Sequence, residues 1–584
     1  MAEASLLLRA TQVDGDLAAV ADALRELANQ QEFSGLRRYA AISQVNLANV
    51  LNWLGDPFGA IKAAVRAEAG FGDATGSVEK IAAMTARATA LTQVRKVDEA
   101  DLVLRNAELS RSPLGRIEID LERAALEASY GSATRSQSAI ERIDPVNLPT
   151  AYLGLRDLVA GAIALRTGDA QSACELGKSS QQHGVRDVAG KFRTDLLLMR
   201  ANLACGKNVA EEGDNLARLA DSLGSRPAMA IAAVMRGLAI SERVGTEISS
   251  LDADQLHVLS IVAEELSQRL ADLTPAAAAA VQEEASARTT RWASALHLAI
   301  ASGGPSRRAA AELLSQIGDA QDASYLRSCA RSVKTLREPA AAAVRRCAPR
   351  ALLRDLGVVG LELGGRPAER TSRRKALALL CFLASRSRQA ATKDEALEAL
   401  WPDYSPEMGL NSLHQAIYYV RRIFDPEFRE GISAGYLTFD GEILTLDADL
   451  VNSESRRCWH LLRSTGAHDL EATEAILGLY EGRFAIDFMY EEWATDYRET
   501  LHAAVLGRTE ASIAACLSSS DPERAIRIAT AMLAVDSCAD AIELGLLRAY
   551  KAAGRHAAAG EQYAHYATAL RQMLGVEPPT YEDI

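Results

Sequence analysis

Apolar residues recur along most of the chain with the three- and four-residue spacing of amphipathic helices. From the amino terminus to about residue 300 this spacing is broken only briefly, at Gly, Asp or Pro, which predicts one helix after another. Near residue 350 the pattern changes. Residues 351–357 and 358–363 alternate or run apolar ahead of Gly364 and Gly365, which predicts two strands and a turn. Helical spacing returns beyond about residue 455, so the fold class is predicted to be mainly α with small β-sheets.

Small residues repeat within the amino-terminal helices at spacings of 12 and 7 positions. Gly55 and Gly168 each follow the first position of their unit by seven residues, where a turn would join two helices. The pattern resembles the tetratricopeptide helix-turn-helix, whose small residues let paired helices approach closely. We therefore predict a tetratricopeptide-like repeat domain over residues 1–300, with a non-repeating helical bundle as the alternative. The three units are Ala48, Ala60 and Ala67; Ala88, Ala100 and Ala107; and Gly161, Ala173 and Ser180.

The pattern of residues within the predicted helices changes near residue 300. Segment 305–330 begins after Pro305, contains R-x-x-A-x-x-x-L, and has Gly318–Asp319 at the place of a turn. It resembles a HEAT-type helical repeat, so residues 301–349 are predicted to be a HEAT-like segment. Such a segment would either extend an α-solenoid or separate two domains.

Residues 350–450 have the outline of a winged helix-turn-helix domain. The two strands are followed by three amphipathic helices, and two more strands then flank Asp440–Gly441, a pair that favours a tight hairpin turn. Trp401 is expected to pack beneath the third helix. The predicted helices are 370–386, 392–400 and 406–424, and the predicted hairpin strands are 432–438 and 442–446.

The third of these helices has two chemically distinct faces. At about 100° per residue, one face consists of Leu410, Leu413, Ile417, Val420 and Phe424. The opposite face has side chains that can read bases in a major groove: Asn and Gln pair with adenine, Arg with guanine, and Tyr contacts phosphate or a thymine methyl. A solvated face would more often contain Glu and Lys. This polar stripe consists of Asn411, Gln415, Tyr418 and Arg422.

The charge distribution agrees with a localised nucleic-acid surface. The 584-residue chain has a formal net charge of −13, which argues against a protein that is basic throughout. Between Arg366 and Lys393, however, eight residues are basic and one is acidic. We expect the cations there to contact phosphates, although interdomain ion pairs are the alternative for some of them. The candidate phosphate contacts are Arg373, Arg374, Lys375 and Lys393, joined by His414 and Arg421 at the rim of the third helix. Tyr436 either supports the wing hairpin or reaches a minor groove.

Several ordered blocks in this region resemble one known family. Residues 373–439 are similar to the OmpR-type winged helix of the Streptomyces antibiotic regulatory protein (SARP) family. The blocks are Arg373–Lys375, Leu400–Asp403, Asn411–Leu413, Arg421–Arg422 and Gly435–Tyr436.

Residues 455–584 are similar to the tetratricopeptide-like bacterial transcriptional activator domain that accompanies this winged helix in the family. The marks are residues 479–484, Glu492–Trp493, Arg498, the turn from Gly554 to Tyr563 and residues 574–578.

The resemblance implies a cytoplasmic transcriptional activator that binds double-stranded promoter DNA, contacts RNA polymerase and forms a homodimer on DNA. The amino-terminal helices of residues 1–349, here called the helical arm, would then receive a protein, peptide or small-molecule effector. The alternative is a repeat scaffold whose winged helix mediates protein interactions.

Other classes of function find little support in the sequence. No stretch approaches the roughly 20 apolar residues that a membrane helix needs, and the amino terminus has no signal-peptide pattern. The eight cysteines form no C-x-x-C motif, and no G-x-x-x-x-G-K-[ST] phosphate loop is present. We therefore expect no enzyme, no metal site and no cofactor.

Overall fold

The computed structural model describes residues 16–72, 77–107, 113–145, 148–183, 188–240, 243–368, 374–466, 468–573 and 577–584. It divides into two compact units, residues 1–343 and 344–584. Its helices far outnumber its strands among the described residues, which confirms the predicted fold class.

The first unit is built from helices joined mostly by short turns. They are α1 (Leu17–Phe33), α2 (Arg37–Leu54), α3 (Pro57–Phe71), α4 (Val78–Gln93), α5 (Val97–Ala107), α6 (Pro113–Tyr130), α7 (Ala133–Glu141), α8 (Thr150–Arg166), α9 (Ala170–Gln182), α10 (Val188–Ala204), α11 (Ala210–Leu223), α12 (Arg226–Ala239), α13 (Val244–Ser249), α14 (Val258–Ile261), α15 (Ala263–Ser267), α16 (Pro275–Ala287), α17 (Thr289–Ser302), α18 (Arg307–Ile317), α19 (Ala320–Ala330) and α20 (Arg337–Cys347), the last of which runs into the second unit.

The repeated small residues lie where consecutive helices pack together. All nine are buried, in the pairs α2–α3, α4–α5 and α8–α9. Gly55 and Gly168 both adopt φ of +82° at the turn between paired helices, a backbone conformation that other residues rarely adopt. The spacing therefore marks the positions at which each pair makes its close contact.

The segment that follows is also helical, as predicted. Gly318–Asp319 forms the turn between α18 and α19, and Asp319 begins α19 with a reciprocal capping box involving Asp322. Residues 305–349 contain three α-helices and a short 3₁₀ turn at Lys334–Leu336. This segment therefore consists of one helical pair followed by a single helix.

The second unit begins with strands and ends with helices. Its strands are β1 (Ala351–Arg354), β2 (Gly360–Leu363), β3 (Arg366–Pro367), β4 (Ala390–Thr392), β5 (Leu437–Phe439), β6 (Ile443–Leu446) and β7 (Val451–Ser453). Its helices are α21 (Arg374–Ser385), α22 (Lys393–Leu400), α23 (Pro406–Phe424), α24 (Glu454–Ser464), α25 (Leu470–Leu479), α26 (Glu492–Ser518), α27 (Pro522–Val535), α28 (Asp540–Ala552) and α29 (His556–Met573).

Two small sheets share one hydrophobic core with the helices α21 to α23. The first has the order β3-β2-β1-β7, in which β1 runs antiparallel to β2 and parallel to β7. The second has the order β4-β6-β5 and is antiparallel throughout. Helix α21 is buried on nearly every side, from Ala376 to Ala384, because it packs against α23, α24 and α26. This is a winged helix, with the β5–β6 hairpin as its wing.

One hydrophobic core runs through the whole second unit. It includes strand residues such as Leu353, winged-helix residues such as Leu413, and helical residues as far as Ala549. The strands, the three winged-helix helices and the carboxyl-terminal helices are therefore packed into one body. Within the described ranges of both units, no helix meets the length and apolarity that a membrane span requires.

Candidate nucleic-acid interface

Helix α23 has well-defined ends that fix which residues it presents. Ser405 accepts a hydrogen bond from the backbone N–H of Met408 at 3.4 Å, and Pro406 occupies the first helical position. Asp425 adopts an extended backbone and ends the helix after Phe424. These ends place residues 406–424 in one continuous helix of five turns.

The two faces of α23 separate as the sequence predicted. Leu413, Ile417, Val420 and Phe424 are buried in the core, and Leu410 is half-buried. On the opposite side Asn411, Gln415 and Tyr418 are exposed, and Arg422 is half-exposed. A 54% exposed tyrosine among amide side chains leaves a polar surface of hydrogen-bonding groups along the helix.

The carboxyl-terminal end of this stripe is organised by aromatic contacts. The guanidinium of Arg422 lies 5.5 Å from the centre of the Tyr418 ring and donates to the carbonyl of Pro426. At the middle of the helix, the His414 ring lies 6.0 Å from the Phe439 ring of the wing. His414 is exposed and lies between the polar stripe and the wing.

Arg421 and Tyr436 are more deeply placed than the stripe. Arg421 donates to the carbonyl of Leu437 at 3.2 Å and lies over the Phe428 ring. Burial lowers the pKa of its guanidinium. Tyr436 is 5% exposed, stacks on Phe424 at 4.5 Å and donates to the carbonyl of Pro349 at 2.5 Å. For Tyr436 the structure therefore corresponds to the packing alternative and places its ring inside the core.

Lys393 stands at the start of α22, beside the wing. Its Nζ lies 3.7 Å from a carboxylate oxygen of Glu442, and its backbone N–H donates to the carbonyl of the same residue at 2.7 Å. Thr392 and Glu395 form a capping box. Hydrogen bonds from Thr392 lower the pKa of the Glu395 carboxyl. This helix end is therefore already supplied with internal hydrogen-bond partners.

The cations that open α21 face the carboxyl-terminal region of the same unit. Arg374 donates to the carbonyl of Asp487 at 3.0 Å and lies over the Phe488 ring. Lys375 donates to the carbonyl of Leu400 at 2.8 Å, and its Nζ lies 3.6 Å from Glu491. Both side chains also remain partly exposed, at 65% and 44%, so the phosphate contacts expected for them stay a prediction beside the ion-pair alternative. Arg373 lies outside the described residues.

A buried carboxylate fastens the first sheet to α24. Asp355 is fully buried and accepts hydrogen bonds from the hydroxyls of Ser453 and Ser455, each at 2.7 Å, and from the Ser455 N–H at 2.8 Å. The backbone N–H of Ala485 donates to the carbonyl of Asp355 at 2.8 Å. The winged helix is therefore hydrogen-bonded to the segment that precedes α26.

Arg498, one of the residues that carry the resemblance of the carboxyl-terminal region, organises that segment. Arg498 is buried and donates to the carbonyls of Phe484, Ala485, Phe488 and Met489. One guanidinium thus holds the chain between residues 484 and 489 in place, which is the stretch that contacts α21.

Two residues near the interface were not singled out as site residues from the sequence. Arg388 is exposed in the turn before β4 and was noticed only within the basic segment. Arg456 donates to the carbonyls of Ala384, Arg386 and Ser387, between 2.7 and 3.1 Å, and so fixes that turn. The role of Arg456 depends on contacts 70 residues apart, for which the local sequence contains no signal.

Comparisons with known proteins bear on the carboxyl-terminal region. Residues 446–581 match the family described as Bacterial transcriptional activator domain, which confirms the resemblance expected for this part of the chain. Among solved structures, Mycobacterium tuberculosis EmbR in complex with a low affinity phosphopeptide is 18% identical, with a TM-score of 0.32. That similarity covers 40% of this chain and 62% of that chain, so it spans less than two thirds of the other structure's length. Naa15/Naa10 bound to HypK-THB is 12% identical over 98% and 97% of the two chains, with a TM-score of 0.16. No curated protein matches the chain.

Proposed function

We propose that this chain, which carries a bacterial transcriptional activator domain over residues 446–581, is a transcriptional activator that binds specific DNA sequences through its winged helix. The observation that supports the proposal is the polar stripe on α23. Its residues face outward while the opposite face of the same helix is buried. A helix with these dimensions fits a major groove, and its amide and guanidinium groups match base edges.

The roles of the stripe residues follow from their hydrogen-bonding groups. Asn411 and Gln415 would pair with adenine, and Arg422 would turn from Pro426 to a guanine. Tyr418 and His414 would contact phosphate or a thymine methyl. We propose phosphate contacts for Lys393, Arg421 and Arg373 as well.

Arg374 and Lys375 have a different role in this proposal. Their contacts with residues 487–491 and with Leu400 favour a brace between α21 and the activator domain. Tyr436, stacked in the core, would set the position of the wing. These three residues would act on DNA affinity by holding the interface in shape.

The remaining parts of the proposal concern the whole protein. It would act in the cytoplasm, bind promoter DNA as a homodimer and contact RNA polymerase through the activator domain. Different functions would belong to the four predicted segments, which are residues 1–300, 301–349, 350–450 and 455–584. The helical arm would receive the signal and the last two segments would bind DNA and activate.

A binding assay with purified full-length protein tests the central claim. Fluorescence anisotropy with promoter fragments from the source genome should find a sequence-selective site whose affinity falls as salt rises. Arg422→Ala and Gln415→Ala should each weaken that site by roughly 5- to 100-fold, since a lost base contact costs about 1–3 kcal/mol. Arg548→Ala, an exposed arginine on α28, removes the same charge and should leave affinity unchanged.

The second candidate is a scaffold whose winged helix binds protein. Tyr404 and Met408, near the start of α23, are 47% and 59% exposed, and apolar exposure at that position suits a protein contact. Equal competition by DNA of any sequence, together with unchanged binding in both α23 variants, would favour the scaffold and reject the activator.

A further inference from the structure

A cleft of about 590 Å³ lies in the first unit. The ends of α8, α10, α12 and α17 and the start of α9 contribute to its walls. Its apolar surface consists of Leu165, Ala170, Leu203, Leu238, Leu298 and Pro305. Ligand pockets typically measure about 300–1,000 Å³ and have mostly apolar walls with a few placed polar groups. The size and lining of this cleft fall within that description.

The polar end of the cleft is formed by a segment of three short helices that follows the long helices of the first unit. Helices α13, α14 and α15 have only six, four and five residues. Glu264 and Glu265 of α15 and Gln268, which follows it, line the cleft. The irregular segment thus brings acceptor groups to the cleft, together with Arg269, whose guanidinium lies 3.6 Å from the Asp272 carboxylate.

Three buried arginines neutralise the two carboxylates from behind. Arg291 donates to both oxygens of Glu264 at 2.6 Å. Arg200 donates to both oxygens of Glu265, at 2.8 and 3.1 Å, and to Glu264. The third cation, Arg166, has its Nε 3.9 Å from Glu264. Although burial raises the pKa of Glu264, the charge and hydrogen bonds of Arg291 and its neighbours lower it to about 2.

These pairings determine which ligand charge the cleft can accept. A cationic ligand would have to compete with the three arginines, which are already in place. An anionic ligand would lie directly against the carboxylate oxygens of Glu264 and Glu265, which offer it no hydrogen-bond donor, and would lose its hydration. A neutral donor faces neither obstacle, because a carboxylate oxygen can accept more than one hydrogen bond. The amide oxygen of Gln268, which accepts from Ser302 at 3.0 Å, adds another acceptor.

We propose that this cleft binds a neutral, lipophilic small molecule that has a hydroxyl or amine N–H donor at one end. The apolar body would lie along Leu203, Leu238 and Leu298, and the donor would point to Glu265 and Gln268. The site would serve as the effector site of the helical arm, which rests on the proposed function, but the binding itself does not depend on DNA.

Two probes with the same aromatic skeleton test the choice of ligand charge. N-phenyl-1-naphthylamine is neutral and has one N–H donor, whereas 1-anilinonaphthalene-8-sulfonate adds a sulfonate. Both fluoresce more strongly in apolar surroundings and can be excited directly. Titrated into the full chain, the neutral probe should bind at one saturable site, roughly tenfold or more tighter than the anionic probe.

Substitutions within the cleft link that binding to its location. Ala170→Trp and Leu298→Trp should each weaken binding of the neutral probe at least about tenfold by filling the cleft. Leu102→Trp, at a 58% exposed position on α5, is the matched control and should bind like the parent. Circular dichroism identifies any variant that fails to fold, and the other cleft variant then decides.

Three results would overturn the proposal. The first is the absence of a saturable site for the neutral probe, and the second is equal or tighter binding of the sulfonate at the site that Ala170→Trp removes. The third is neutral-probe binding that persists in both cleft variants. Loss of sequence-selective DNA binding with probe binding intact would count against the proposed function and leave this site standing.

Discussion

At the scale of single residues, Arg498 makes a clear prediction about stability. Its guanidinium is buried and satisfies four backbone carbonyls between residues 484 and 489. Lysine keeps the charge but cannot reach four acceptors with one ammonium. Arg498→Lys should therefore lower the free energy of unfolding by about 2–4 kcal/mol, measured by urea denaturation. Arg548→Lys, at an exposed position, should change it by less than about 0.5 kcal/mol; equal losses in both variants would contradict the role given to Arg498.

Glu454 makes a prediction about pH. Burial raises the pKa of its carboxyl to about 6, and neighbouring Asp355 and Glu481 add to the effect against the opposing charge of Arg354. Because the folded state holds this proton more tightly than the unfolded state, the carboxyl stabilises the fold at low pH and that contribution is lost as pH rises through about 6. Glu454→Gln should consequently have a higher melting temperature than the parent at pH 8.

The same difference should shrink as the pH falls. Near pH 5 the parent carboxyl is largely protonated in the folded state, so the difference in melting temperature between the two proteins should be clearly smaller than at pH 8. Glu510→Gln, which changes an exposed carboxyl on α26, should show no such pH-dependent difference. A constant offset between Glu454→Gln and the parent from pH 5 to pH 8 would contradict the prediction.

The placement of some residues follows from the sequence, whereas the placement of others depends on long-range packing. The faces of α23 could be assigned from the sequence because helical geometry alone decides which side each residue takes. The partners of Arg374 could not, because Asp487 and Phe488 lie more than 100 positions away. Tyr436 stacks on Phe424 and reaches Pro349, and no local pattern distinguishes that placement from an outward one. Long-range packing, rather than residue type, determines where the side chains of Arg374 and Tyr436 lie.

At the scale of elements, the three winged-helix helices were predicted within a few residues of their observed bounds, whereas β4 and β7 were not predicted at all. Each of these strands has three residues, too few for alternation to be visible. β7 pairs with β1 across 100 positions, and β4 pairs with β6 across more than 50. Such strands exist because a partner edge is available, which only the folded chain reveals.

A close backbone contact between two turns provides a test at this scale. A Cβ added to Gly482 would lie 2.8 Å from the Cα of Gly357, so neither chain segment can yield without moving backbone. Gly357 N–H donates to the carbonyl of Arg483 at 3.1 Å, within the same contact. Gly482→Ala should lower the free energy of unfolding by about 1–3 kcal/mol. The measurement is urea denaturation followed by circular dichroism.

Gly507 supplies the matched control for that substitution. It lies within α26, and a Cβ there would meet no atom within 4 Å. Gly507→Ala should leave stability unchanged or raise it by up to about 1 kcal/mol, since alanine favours a helix over glycine. If Gly482→Ala behaved like Gly507→Ala, the β1–β2 turn and residues 482–486 would not be held together by this contact.

At the scale of the whole molecule, charge and packing are distributed unevenly. The chain has a net charge of −13, yet residues 366–393 of the winged helix contain eight basic residues and one acidic residue. Part of that basic character is used within the second unit, by Arg374 and Lys375. If both residues act as the proposed brace, fewer cations contact a nucleic acid than the sequence alone indicated. The exposed stripe on α23 consequently has a larger share in the proposed recognition.

The packing of the second unit predicts that it folds without the first. Its core cluster contains buried residues from Ala351 to Ala549 and none from the first unit. A fragment of residues 344–584 should therefore unfold in one cooperative thermal transition. Its transition should coincide with one of those in the full chain, as followed by scanning calorimetry. A fragment that shows no cooperative transition would mean that the first unit is needed for folding.

If the fragment folds, its sequence-selective DNA affinity can be compared with that of the full chain. A higher affinity of the fragment would identify the helical arm as an inhibitor of binding, and a lower affinity would identify the arm as a contributor to binding.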